Sequence, residues 1–376
     1  MAYSSDIPIG PAEPAGPSGR RTIRTAIGPE ADRKRLDLFL AERFTYRSRS
    51  QWQETVRKGE ILVNGRAARP SRILRAGEEV EFVPDESELA EPPVDEAFTI
   101  EYETPDFLAA GKPGNLPVHP SGRYFRHTLL MLLRERCGEV YPVNRLDRET
   151  SGLILFAKTP RAAKLLTKLF EDGRIRKTYQ AVVHGVFPAR IEAQGYLGPD
   201  PESAVTKKRK FFRERPSGDP GEIQTAETEF RLLASDGSRS LVECTPHTGR
   251  LHQIRATLFS LGFPLLGDKL YGPDDALFLR QAAGTLTEED RASLILPNQA
   301  LHAQKLEFVS PFTGEKICLT VPAPFAVHPA VSGLFRSAEG SGTSYAADIP
   351  EDPESAPKDV QIPSFLIEKE SVRQNG

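Results

Sequence analysis

VNRLDRETSGLILFAKT, residues 143–159, is a dense cluster of charges that runs without a break into an apolar stretch. Arg145 and Arg148 flank Asp147, and Glu149, Thr150, Ser151 and Gly152 lead into LILFA. The glycine and the change in character predict a loop feeding a strand. The bulk of Leu153, Ile154, Leu155 and Phe156, bounded by Lys158 and Pro160, predicts a strand buried on both faces. Asp147 then sits on a loop held against a rigid sheet. That placement suits a catalytic carboxylate, because function concentrates on loops positioned by a scaffold. It equally suits a plain ion pair within the loop.

The chain has 376 residues, of which 39% are hydrophobic, enough for about two domains with a sizeable core. It has no run of about 18 apolar residues, so no transmembrane helix is expected, and MAYSSDIPIGPAEPAGPSG lacks the apolar core of a signal peptide. Cys137, Cys244 and Cys318 are odd in number and widely spaced, which argues against a disulfide framework or a CxxC metal site and for a reducing cytoplasm. The net charge of −3 hides an asymmetry. Residues 20–85 carry 15 Lys and Arg against 10 Asp and Glu, a net charge of +5, whereas residues 337–376 carry 3 against 8, a net charge of −5. Five regions are expected: a disordered tail over 1–20, a small basic module over 21–86, an acidic linker over 87–98, a large α+β domain of mixed, mainly antiparallel sheet over 99–330, and an acidic disordered tail over 331–376.

In the basic module, RKRLDLFLAERF puts Leu36, Phe39, Leu40 and Phe44 at helical spacing. SRSQWQETVRKGEI opens on a serine suited to an N-cap and reads as a second helix ending at Gly59. ILVNGRAARPSRILRAGEEVEF reads as short strands joined by an Asn-Gly turn. Arg47, Arg49, Arg57 and Lys58 form one basic side suited to phosphates, or a solvated helix face. Over residues 34–83 the order of helix, helix, VNG and GEEVEF resembles the S-four-type RNA-binding domain first recognised in a small-subunit ribosomal protein.

Downstream lie FLAAGKPGNLPVHP (107–120), the stretch around Asp147, RKTYQAVVHG (176–185), TPHTGRLHQIRATLFSLGFPLLGDKLYG (245–272) and QALHAQKLEF (299–308). In this order they resemble the RluA-type family of pseudouridine synthases. Three departures stand out: Asn144 replaces a histidine, Gly114-Asn115 replaces Ala-Gly, and Ala256-Thr257 replaces Val-His.

The resemblance implies an isomerase that converts uridine in RNA to pseudouridine with no metal or cofactor. It implies that Asp147 is the reacting carboxylate, attacking C1′ or accepting the 2′ proton, and that Arg255 holds it anionic. Tyr179 would pack on the uracil and handle the C5 proton, or serve as a core tyrosine. Arg145 would fill the space left by the flipped base, or pair with a nearby carboxylate. Lys112 and His119 are expected as architecture beside the site, with a phosphate contact at Lys112, and His252 and Gln253 as organisers of the loop bearing Arg255. In VTKKRKFFRER (205–215), Lys207 and Lys208 lead basic residues interleaved with phenylalanines. This is either a single-stranded RNA surface or an exposed hairpin whose rings pack inward. Ribosomal RNA of the large subunit is the favoured partner and transfer RNA the alternative, with the protein acting as a monomer. The competing class is an RNA-binding or ribosome-assembly protein without turnover.

Overall fold

The computed structural model describes residues 22–44, 47–83, 91–217 and 222–340, so the tail predicted over 1–20 and the chain from 341 onward lie outside the described residues. Two compact units emerge. Among the described residues, one comprises those up to Val94 together with His119–Leu132; the other comprises Asp95–Val118 and those from Leu133 onward. The division is not the linear one expected, and Glu91 supplies a reason. Its carboxylate accepts the backbone N–H groups of Phe125, Arg126 and His127 at 2.8–3.0 Å, tying that excursion to the first unit.

The first unit contains β1 (Ile23–Ala26), α1 (Leu36–Arg43), α2 (Arg49–Arg57), β2 (Ile61–Val63), β3 (Arg66–Ala67) and β4 (Glu79–Phe82). Its four strands form an antiparallel sheet in the order β1-β4-β2-β3. Ser48 caps α2 in a full capping box with Gln51. Asn64 and Gly65 both take positive φ (51° and 72°), the turn that two-residue hairpins require. Leu36, Leu40, Trp52, Val56, Ile61, Val63, Leu74 and Val80 form the core.

The other elements are β5 (Thr99–Glu103), β6 (Phe107–Lys112), α3 (Leu129–Cys137), β7 (Tyr141–Pro142), β8 (Ser151–Ala157), α4 (Pro160–Glu171), β9 (Arg176–His184), β10 (Arg190–Pro199), β11 (Arg209–Phe212), β12 (Gln224–Ser235), β13 (Arg239–Pro246), α5 (Gln253–Ser260), α6 (Ala276–Ala283), α7 (Glu288–Leu294), β14 (Leu301–Val309), β15 (Lys316–Thr320) and α8 (Ser332–Gly340). An 11-stranded sheet runs β11-β10-β12-β13-β9-β14-β8-β6-β5, with β15 on β14 and β7 on β8. Its pairings are antiparallel except β8 with β14. Period-two alternation sorts its side chains. On β9, Ala181 and Val183 pack beside α5 residues Ile254 and Leu258, while Val182 faces the cluster with Leu334 of α8. Every residue of β8 is buried, as its sequence requires.

The C-terminal boundary predicted at 331 falls too early. Val331 and Leu334 are buried, and Phe335 packs beside them, so a short apolar stripe docks α8 on the domain.

Gly152 opens β8 at φ 114°, and a Cβ there would run into the backbone of Ala303, its partner on β14. Gly152→Ala is expected to lower unfolding free energy by about 2–4 kcal/mol, since strain and a backbone clash combine. Urea denaturation followed by circular dichroism checks this; a change below about 0.5 kcal/mol, the range of neutral surface substitutions, refutes it.

Candidate active site

The three predicted catalytic residues come from three elements brought together by the sheet. Asp147 lies on the loop between β7 and β8, Tyr179 on β9, and Arg255 in the first turn of α5. Strand β14 separates β8 from β9, so the loop and the tyrosine arise from nearly adjacent positions.

Arg255 Nη1 donates to Asp147 Oδ2 at 2.7 Å. The remaining fork of the guanidinium is held by a second carboxylate. Nε donates to Asp268 Oδ2 at 2.7 Å and Nη2 to Asp268 Oδ1 at 2.9 Å. Asp268 is fully buried and also accepts the backbone N–H groups of Leu270 and Tyr271 at 2.9 Å. The Tyr271 ring lies 4.9 Å from the guanidinium, a cation–π contact. Arg255 is thus held by three contacts, two to an Asp268 that is itself anchored by two backbone N–H groups, before it reaches Asp147.

Asp147 keeps 22% of its side chain open. Burial would push its carboxyl up, but the charge of Arg255, followed by His252 and Arg145, holds it down at about 2. His252 adopts φ 57° at the N-cap of α5. Its Nδ1 lies 3.0 Å from the Tyr271 hydroxyl and its Nε2 3.9 Å from Asp147 Oδ1. The Tyr271 oxygen already accepts Arg209 N–H at 2.8 Å; in the tautomer where its own proton goes to Nδ1, the Nε2 proton faces Asp147. Burial and then Arg255 push the imidazole down to about 4, so it is neutral. Gln253 saturates its amide on Thr248, Arg250, Glu227 and Thr228, fixing the turn that carries Arg255.

Tyr179 is half-buried, and burial followed by the charge of Asp147 raises its phenol pKa. The hydroxyl therefore stays protonated. Arg145 is exposed at the rim of the loop. Asn144 has its own structural task, accepting Leu155 N–H at 2.9 Å to close the loop on β8.

Several RNA contacts expected from sequence are corrected. Lys112 is buried, and its ammonium donates to the carbonyls of Pro113, Leu116 and Arg148, so it braces the loop after Asp147 rather than meeting phosphate. Lys208 is buried against Asp275 and the ring of Phe259. Phe211 is in the core, so the hairpin reading holds for it, whereas Lys207 remains exposed. In the first unit Arg47 lies over Trp52 and bonds Thr55, and Arg49 pairs with buried Asp37 at 3.0 Å; Arg57 and Lys58 are exposed.

Asp268 and the buried pair of Glu149 with Lys269 (2.8 Å) were not singled out from sequence. The signal was present: FPLLGDKLYG interrupts an apolar run with opposite charges side by side. Among the described residues, no group of three or more His, Cys, Asp or Glu is placed to hold a metal, and no helix is long and apolar enough to cross a membrane.

Comparison with known proteins accounts for this geometry. The model for RNA pseudouridylate synthases matches residues 106–260, and that for the S4 domain matches residues 34–80. A ribosomal large subunit pseudouridine synthase D from Neisseria meningitidis is 32% identical over 80% of this chain and 78% of its own. A mitochondrial tRNA pseudouridine(32) synthase from Saccharomyces cerevisiae is 33% identical over 65% of this chain and 51% of its own. The structure of human RNA pseudouridylate synthase domain containing 1 shares the fold, with a TM-score of 0.51, 24% identity and coverage of 66% of this chain and 90% of that one. A carboxylate held anionic by a buried arginine, in a domain so matched and joined to an S4 domain, places this chain in the RNA pseudouridine synthase family, the isomerases that convert uridine in RNA to pseudouridine.

Proposed function

We propose that this protein isomerises specific uridines of large-subunit ribosomal RNA in the cytoplasm, as a monomer, with Asp147 as the reacting carboxylate. The observation that carries the chemistry is the 2.7 Å contact between Asp147 and an arginine already fixed by Asp268. Isomerisation breaks the N1–C1′ bond, forms a C5–C1′ bond, and in sum moves a proton from C5 to N1. Electrons and atoms balance without an oxidant or a metal. Asp147 acts at the ribose, by attack on C1′ or by removal of the 2′ proton, and both routes need the anion. Tyr179 packs against the uracil, and because it is protonated it takes the C5 proton only while releasing its own. Arg145, exposed and free to extend, fills the stack vacated by the flipped base, whose extrusion costs a few kcal/mol.

The ribosomal substrate is supported by the S4 domain and by the name of the Neisseria relative; the yeast relative names transfer RNA as the alternative. Three free thiols suit a reducing compartment. Mapping pseudouridine across cellular RNA with and without the protein decides the substrate. Sites lost from large-subunit ribosomal RNA support the proposal, and losses confined to transfer RNA refute it.

Asp147→Asn keeps shape but removes charge, and is expected to cost roughly 10⁴-fold or more in single-turnover rate, as loss of a nucleophile or base does elsewhere. Tritium release from uracil C5 measures it; turnover within tenfold of wild type removes the role. The acid limb supplies a second check. Because the carboxyl of Asp147 is held at about 2, below its ordinary value, its charge and the stability that charge contributes persist above the unfolded value and are lost only as pH falls through about 2. The single-turnover rate is therefore expected to stay level from about pH 8 to about pH 5, where an ordinary carboxylate is only beginning to protonate. A tenfold fall over that range, in protein that circular dichroism shows folded, excludes Asp147 as the titrating group. For the S4 domain, replacing both Arg57 and Lys58 with Gln is expected to lower the slope of log affinity against log salt by about two units. Identical slopes would remove those residues from the RNA interface.

A further inference from the structure

Lys207 lies between β10 and β11, in a segment pinned on both sides. Ser203 Oγ and Lys208 Nζ both bond Asp275, at 2.9 and 3.2 Å, and Arg209 N–H donates to the hydroxyl of Tyr271 at 2.8 Å. The Tyr271 ring lies on Arg255, which pairs with Asp147. The backbone two residues beyond Lys207 is therefore bonded directly to the wall of the active site. The Lys207 ammonium stands 4.2 Å from the centre of the Phe278 ring on α6.

The charge balance around this ammonium is unusual. Lys207 is an exposed residue, yet burial of its ammonium, and then the charges of Arg255 and Arg148, push its pKa down, with Asp147 and Glu149 acting the other way. Both carboxylates are already committed, Asp147 to Arg255 and Glu149 to Lys269. Among the described residues, no carboxylate stands within ion-pairing distance of Lys207, whereas its neighbour Lys208 has Asp275 and Asp200. A cation in the field of two arginines and partly stripped of water carries a cost in the free protein, and the Phe278 ring offsets it by a cation–π contact. An anion entering the cleft would relieve that cost, and the strand that brings uridine to Asp147 carries one phosphate per nucleotide.

We infer that Lys207 is the anchor for a backbone phosphate of the RNA strand entering the Asp147 cleft, with Phe278 holding its ammonium in place. The inference rests on Asp147 being the reacting group and adds a binding residue beside it. The resulting signature differs between the two states. Lys207 adds little to the stability of the free protein and strengthens the complex, whereas a structural lysine strengthens both.

The test uses the full chain, with unmodified large-subunit ribosomal RNA transcribed in vitro and tritiated at uracil C5. Lys207→Gln is expected to melt no lower than wild type and to reduce the salt slope of binding by about one unit. It should raise the RNA concentration at half-saturation by about tenfold, the loss of about one charged contact, and leave the saturated single-turnover rate within about twofold. Lys207→Arg keeps the charge and is expected to restore slope and half-saturation. Lys168→Gln, an exposed lysine on α4, serves as the control for charge alone. Unchanged slope and half-saturation in Lys207→Gln overturn the inference, as does an equal loss in Lys207→Arg or in Lys168→Gln. Failure of the underlying reading looks different: tritium release would survive in Asp147→Asn with Lys207 intact.

Discussion

Arg255 carries one positive charge and lies against two carboxylates, and the state of Asp147 follows from how that charge is divided. Asp268 takes the bidentate face of the guanidinium and two backbone N–H groups besides, which leaves it fully satisfied and immovable. Asp147 receives one remaining N–H and keeps an open side. The division makes one carboxylate structural and leaves the other open for the reaction proposed for it, although both are the same residue type. An arginine paired with Asp147 alone could bond both of its oxygens and close the side that is now open. Asp268 prevents this by holding the fork in a fixed direction.

The same logic extends outward from the loop. Arg148 lends its carbonyl to Leu116 N–H and to Lys112, Glu149 is buried against Lys269 and Gln281, and Thr150 meets Gln299. Each residue after Asp147 is therefore fixed by a segment remote in sequence. Buried polar groups in such a network are costly if unpaired and stiffening if paired. Here they brace the loop from several sides, the kind of preorganisation that the reaction proposed for Asp147 requires.

Much of this was legible in the sequence, for identifiable reasons. The buried strand after Gly152 showed itself by continuous apolar bulk, the α2 cap by Ser48 and Gln51, and the hairpin by Asn64-Gly65, all local signals with local causes. Asp147, Arg255 and Tyr179 were singled out through motif resemblance, and the sheet brings their elements together. Where the reading went astray, the missing information was which way a charged side chain points. Lys112 and Lys208 look like phosphate contacts in a string of letters, and both turn inward to acceptors supplied by other segments. Neither destination is encoded within a few residues of the lysine. Val331 and Leu334 failed for a related reason: a two-turn stripe beside an acidic tail is too short to read without the sheet that receives it.

The order of strands carries a consequence for synthesis. Strand β14 inserts between β8 and β9, parallel to the first and antiparallel to the second, yet it is made long after both. A nascent chain that has emerged only as far as α7 holds Asp147, Tyr179 and Arg255 and lacks the strand that joins their supports. Non-local pairing of this kind must wait for the later segment before the earlier ones are held. The sheet is in this sense closed at its middle by a late strand, and a chain translated only that far has these side chains without the frame that holds them together.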